Sequence, residues 1–216
     1  MNGIDIPDLG AAAGSLQTWV LPALLGLGLA SATGLRTFLP LLMLALAARF
    51  GLFGIDLNDQ MAWLADWPAI SALGIAAVVE FAGDKIPVVD HGLNVLGSFT
   101  RPVAGAVAAG SVFAGLDPTT AAIAGVIVGA PTAFAFNAAQ GGARLTSTAT
   151  TGGLGNPVLS LIEDVLSFAT VMLAFLVPVL VPVLMVVLAV LVFRLAKRLR
   201  ARLYADPVRS PGTRSP

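Results

Sequence analysis

Residues 171–193 read VMLAFLVPVLVPVLMVVLAVLVF, and none of them carries a charge. About 20 consecutive apolar residues are enough to cross the hydrocarbon core of a bilayer as a helix. A transmembrane β-barrel would need strands that alternate apolar and polar residues, and the chain has no such pattern. Pro178 and Pro182 mark a turn or kink inside the run, because proline breaks the helical hydrogen-bond ladder. The rest of the chain is of the same kind. It has 216 residues, 57% hydrophobic and 11% charged, with a mean hydropathy of +0.90. A soluble domain carries roughly 25% charged residues. The expected fold class is all-α: a polytopic transmembrane helix bundle with interrupted helices.

The charge is unevenly placed. Residues 1–193 hold 5 basic and 11 acidic side chains, whereas residues 194–216 hold 7 basic and 1 acidic. The basic run RLAKRLRARLY, residues 194–204, directly follows the last apolar segment. Lys and Arg in short flanks mark the cytoplasmic side, so a multi-pass protein of the cell inner membrane with a cytoplasmic C-terminus is expected. Nucleic acid is not an expected partner, since topology accounts for the basic run; the bilayer is. An oligomer is compatible with this composition. The acidic start MNGIDIPDLG lacks a basic n-region and does not read as a cleavable signal peptide. Cysteine is absent, which excludes disulfides and thiolate metal sites. The expected organisation is an N-terminal segment (1–15), a helical membrane domain (16–204) and a disordered polar tail (205–216).

Upstream, Leu16 to Phe53 is too long for one straight crossing. SATGLRTFLP (31–40) interrupts it, which leaves either one broken helix or a hairpin of two short ones. Trp63 and Trp67 in the following loop suit the headgroup interface. A second apolar segment runs from Pro68 to about Gly83. Residues 88–101 read as a separate amphipathic helix, and Pro102 to Leu116 as a short third segment. The fourth, Pro118 to about Gln140, contains GVIVG (125–129), a small-xxx-small spacing that permits close helix contact. GGLGNP (152–157) lacks the lysine of a phosphate-binding loop and reads as flexible backbone before the fifth segment at Pro157. GLR (34–36) and GAR (142–144) each follow an apolar segment and read as preceding a break, a weak hint of an internal repeat.

The chemistry-bearing residues sit inside this apolar background. Ser160, Glu163, Ser167 and Thr170 are spaced 3, 4 and 3. Asn137, Gln140, Arg144 and Thr148 are spaced 3, 4 and 4, one face of a helix if the fourth segment continues that far. Polar faces of this kind turn towards one another or towards a wet cavity rather than towards lipid. Near the membrane lie five acids (Glu80, Asp84, Asp90, Glu163, Asp164) and four bases (Arg36, Lys85, Arg101, Arg144). At roughly 2.5–3.5 kcal/mol each, nine unpaired charges at full depth would cost about 25 kcal/mol. That exceeds the roughly 5–15 kcal/mol of typical stability, so most must be paired or wet.

No catalytic motif survives inspection, and no cofactor is expected. AGDK (82–85) and QGGAR (140–144) each lack residues that the corresponding intramembrane enzymes need. The single histidine, His91, cannot build a histidine metal site. A hard divalent cation held by carboxylates stays open, since Glu80 and Asp84 share a helical face and Glu163 and Asp164 are adjacent.

SATGLRTFLPLL (31–42), VEFAGDKIPVVDH (79–91) and GGARLTSTATTGGLGNPVLSLIEDV (141–165) resemble the hallmarks of a bacterial membrane-protein family, domain of unknown function 4126. The resemblance spans about residues 16–200. It implies an integral membrane protein and supplies no activity. The residues themselves suggest a small transporter or channel for an ion or small polar solute. Its site would be built from Arg36, Glu80, Asp84, Lys85, Asp90, Asn137, Arg144, Glu163 and Asp164. The alternative is a structural or lipid-interacting membrane protein with a salt-bridged core.

Overall fold

The computed structural model describes residues 14–204, excluding the side chains of residues 87–91, 192, 195, 196 and 198–204. The expectations for the N-terminal segment before residue 14 and for the polar tail fall outside the described residues, as do the side chains of Asp90 and His91. The described chain is mostly helical, with no strand. Its helices are α1 (Leu16–Leu35, with a π-helical first turn), α2 (Phe38–Arg49), α3 (Trp67–Gly83), α4 (Pro87–Ser111), α5 (Pro118–Thr151), α6 (Asn156–Leu176) and α7 (Val181–Tyr204). Among the described residues, α1, α5 and α6 are each long and apolar enough to cross a membrane. The short 3-10 stretch Asp59–Ala65 and α3, bent by 63° at Asp66, make a fourth if taken as one broken span. Among the described residues, those up to Pro182 form one compact unit, and those from Val183 form a second.

Helix α1 is the centre of the first unit. Its second half, GLGLASATGL, is almost wholly buried, with Leu29, Ala30, Ala32 and Thr33 fully enclosed. Small residues let neighbouring helices approach closely where lipid supplies no hydrophobic drive. Gly26 lies against Ala109 of α4, Gly28 against Ala174 of α6 and Gly34 against Ala133 of α5. The apolar core forms around it from Leu29, Leu41, Leu44, Ala108, Val112, Val171 and Phe175. The expected small-residue contact is present: Gly125 and Gly129 of α5 pack directly on the backbone of α4 at Gly105, Ala106 and Gly110.

Three expectations need correction. The amphipathic stretch 88–101 and the segment after it are one helix, α4, which runs through Pro102 without a break. Helix α5 does not end near Gln140 but continues to Thr151. Its last turns are rich in Thr, whose hydroxyls bond back to the carbonyls of the preceding turn: Thr146 to Gly142 at 2.9 Å, Thr150 to Thr146 at 2.9 Å, Thr151 to Ser147 at 2.7 Å. That satisfies them within the helix. The chain leaves α5 only at Gly152 and Gly153, both at positive φ. In consequence GAR (142–144) lies within a continuous helix, and its likeness to the GLR break fails.

The burial pattern is inverted relative to a soluble domain. Arg36, Glu80, Asp84, Arg101, Arg144 and Glu163 are buried, while Ile75, Val78, Ile127, Phe134, Leu161 and Val165 are exposed. A bundle in lipid has no reason to hide apolar side chains and every reason to hide charge.

Candidate functional site

The site begins at the break between α1 and α2. Arg36 has extended backbone (φ −136°, ψ 124°), so two helix ends meet head to tail around it. An interrupted helix exposes carbonyls at one end and N–H groups at the other, with partial negative and positive charge. Both ends are met by buried charges of opposite sign. Glu80 of α3 accepts from the backbone N–H of Thr37 at 2.9 Å and of Phe38 at 3.2 Å, where α2 begins. Arg101 of α4 reaches the Gly34 carbonyl at the end of α1, at 3.5 Å. Glu80 therefore serves as a helix cap and not as the partner of a base.

The guanidinium of Arg36 joins three further groups. It contacts the Asp84 carboxylate of α3 and lies 2.6 Å through Nε from Asp164 Oδ1 of α6. It also donates through Nη2 to the carbonyl of Ser160 at 2.9 Å and to its hydroxyl at 2.7 Å. Asp84 is shared, since Arg144 Nη2 stands 3.3 Å from its Oδ2. Arg144 in turn holds Glu163 through two donors, one at 3.2 Å. Gln140 closes the chain of contacts: its amide donates to Glu163 at 2.6 Å, and its carbonyl accepts from Arg101, as does Asn137 at 2.7 Å. One network thus links α1, α3, α4, α5 and α6.

Most residues expected in the site meet there. Arg36, Glu80, Asp84, Asn137, Arg144, Glu163 and Asp164 do. Lys85 does not: its side chain is exposed and folds back over Phe81, donating to that residue's carbonyl at 3.1 Å. The side chain of Asp90 lies outside the described residues. Arg101, Gln140 and Ser160 belong to the network although the sequence argument did not place them in the site. The stripe spacing of Gln140 and Ser160 was the available signal. Thr148, the last residue of its stripe, is exposed and accepts from Asn156 at 3.1 Å.

The carboxylates are engaged singly. Glu80 faces backbone N–H groups, Asp84 two guanidiniums, Glu163 a guanidinium and an amide, and Asp164 one guanidinium. Among the described residues no group of three or more acidic or histidine side chains is placed to hold a metal ion.

One face of the network is open. A groove of about 450 Å³ lies between α2, α3 and α6. Leu39, Leu42, Ala77, Phe81, Val165 and Phe168 line its walls, and Arg36, Glu80 and Asp164 line its polar end. Asp164 is the least buried charge of the network, with its side chain 17% exposed, and its Oδ2 accepts no hydrogen bond from the described residues.

The family model Domain of unknown function (DUF4126) matches residues 23–198. The chain belongs to this family. The match takes in every residue of the DUF4126 network, from Arg36 to Asp164, together with the groove and the helix break. No curated protein and no solved structure matches the chain.

Proposed function

We infer that this DUF4126 protein is a small integral membrane transporter for a cationic solute, seated in the cell inner membrane with its C-terminus in the cytoplasm. One observation carries the reading. Among the described residues the network holds three guanidiniums, Arg36, Arg101 and Arg144, against four carboxylates, Glu80, Asp84, Glu163 and Asp164. A surplus negative charge in a low-dielectric interior is costly unless a positive charge joins it. Asp164 lines the groove, is the least buried of the four carboxylates and has an oxygen, the buried Oδ2, that accepts no hydrogen bond among the described residues, so it is the carboxylate a cation would meet. Interrupted helices beside such charges are the usual construction of transporter sites. Six of the seven charges are buried, so this conformation is a closed one.

That same burial favours a second reading, a salt-bridged structural core with no solute. Reconstituted liposomes separate the two. Uptake of protons, sodium, potassium and tetramethylammonium is measured against protein-free liposomes. The transporter reading expects uptake of at least one of them, reduced at least tenfold in Asp164→Asn at equal folded protein. Uptake at the protein-free level for all four leaves the structural reading.

A further inference from the structure

We propose that the groove between α2, α3 and α6 binds a single-chain amphiphile with a cationic head, which reaches Asp164 from the bilayer and not from water. The proposal rests on the reading of Asp164 as the cation-accepting carboxylate, and it adds the class of ligand and its route.

Two properties of the groove support it. Its walls belong to the lipid-facing exterior: Val78, Phe81, Val165 and Phe168 are all exposed on the outside of the bundle. A volume of about 450 Å³ falls in the range of small-molecule sites, roughly 300–1,000 Å³. The polar end is chemically selective. Of its three charged groups, Arg36 pairs with Asp84, Ser160 and Asp164, although its Nε makes no hydrogen bond among the described residues, and Glu80 is taken up by the N–H groups of Thr37 and Phe38. Among the described residues, Asp164 alone of the three has an oxygen, the buried Oδ2, that accepts no hydrogen bond. The end of the groove therefore carries a net negative charge, and Arg36 Nε, which makes no hydrogen bond among the described residues, already stands 2.6 Å from Asp164 Oδ1. An anionic head would meet two carboxylates and a guanidinium already neutralised. A neutral tail without a head would leave Asp164 as it is. A small hydrated cation gains nothing from the apolar walls. A cationic head on an alkyl chain matches both ends.

Gly74 gives a clean way to test the apolar half. It lines the groove on α3, and a Cβ added there meets no atom within 4 Å, so a larger side chain starts into groove space without a clash at its first carbon.

The full-length protein is placed in phosphatidylcholine nanodiscs, and binding of radiolabelled dodecyltrimethylammonium is measured against protein-free discs. Saturable binding in the wild type, weakened at least tenfold by Asp164→Asn and at least tenfold by Gly74→Phe, is the expected result. Neither tetramethylammonium nor dodecanol should compete at the same concentration. Equal competition by dodecanol would reduce the groove to a lipid-filled crevice and overturn the proposal. Equal competition by tetramethylammonium would make Asp164 a site for small cations only and also overturn it. Unchanged affinity in Gly74→Phe would remove the groove from the site. The assay needs no flux. Binding without uptake in liposomes would sink transport and keep the amphiphile site, whereas uptake of a small cation without amphiphile binding would do the reverse.

Discussion

Arg144 and Glu163 are the pair through which two polar stripes on consecutive helices become one structure. Each is buried; without Arg144, Glu163 keeps the Gln140 amide but no base among the described residues, and without Glu163, Arg144 loses its nearer carboxylate and must share Asp84 with Arg36. Arg144→Ala and Glu163→Ala should each destabilise the protein by about 3–5 kcal/mol. The double variant should fall short of the sum, with a coupling of about 0.5–3 kcal/mol. Thermal unfolding of the four proteins in one detergent reads this directly, and strict additivity would contradict the contact. Glu80 behaves differently because its partners are backbone N–H groups. Glu80→Gln keeps one acceptor oxygen at the start of α2, while Glu80→Ala strands the buried Thr37 N–H, at about 1–3 kcal/mol, and leaves the partly buried Phe38 N–H without its acceptor. The alanine variant should therefore unfold well below the glutamine variant; equal midpoints would mean the cap contributes nothing. The sequence placed both glutamates near the membrane but could not say which had a base for a partner. Spacing along one helix gives the face, and only packing gives what the face meets.

At the scale of elements, prolines and glycines were uneven guides. Pro87, Pro118 and Pro157 do open helices, and the two glycines of the small-xxx-small spacing at 125–129 do pack against the backbone of α4. Pro102 misled, because a proline within a bundle can be carried through a continuous helix when neighbours restore the lost contacts. The stretch 141–151 misled for the opposite reason, since its threonines satisfy themselves within the turn and leave nothing for a loop to do. Arg101 stayed hidden as the polar face of an amphipathic stretch, until α4 was seen to pass the end of α1 at Gly34. The glycines of α5 now separate by environment. At Gly129 an added methyl would fall on the backbone of Gly105 and Ala106, which cannot swing aside as a side chain can. Gly129→Ala should cost about 1–3 kcal/mol from overpacking, more than the roughly 1 kcal/mol gained in helix propensity. At Gly141 nothing lies within 4 Å, so Gly141→Ala should be neutral or stabilising. The two melting midpoints, compared with wild type, should move in opposite directions or differ by several degrees; a tolerated Gly129→Ala would show that α4 and α5 are further apart than described.

For the whole molecule, the network changes how the charge bias is read. Residues 1–193 hold five bases, Arg36, Arg49, Lys85, Arg101 and Arg144. Three of them, Arg36, Arg101 and Arg144, are buried among carboxylates. Bases of this kind do not act as loop charges, so only Arg49 and Lys85 remain to compete for the cytoplasmic side. Against them stand Arg194, Lys197, Arg198, Arg200 and Arg202, in one short stretch at the end of α7. Positive charge counted in short flanks sets orientation, and five against two favours a cytoplasmic C-terminus more strongly than the sequence count of five against five. A green fluorescent protein fused after Tyr204 should be fluorescent, and alkaline phosphatase fused at the same place should be inactive. Replacing the five C-terminal bases with Gln should give a mixed population in which the phosphatase fusion gains activity. If the phosphatase is active on the unaltered chain, the orientation is reversed. If the five replacements leave the fluorescent fusion at full strength, the bias lies elsewhere, and the two loop bases become the next to test.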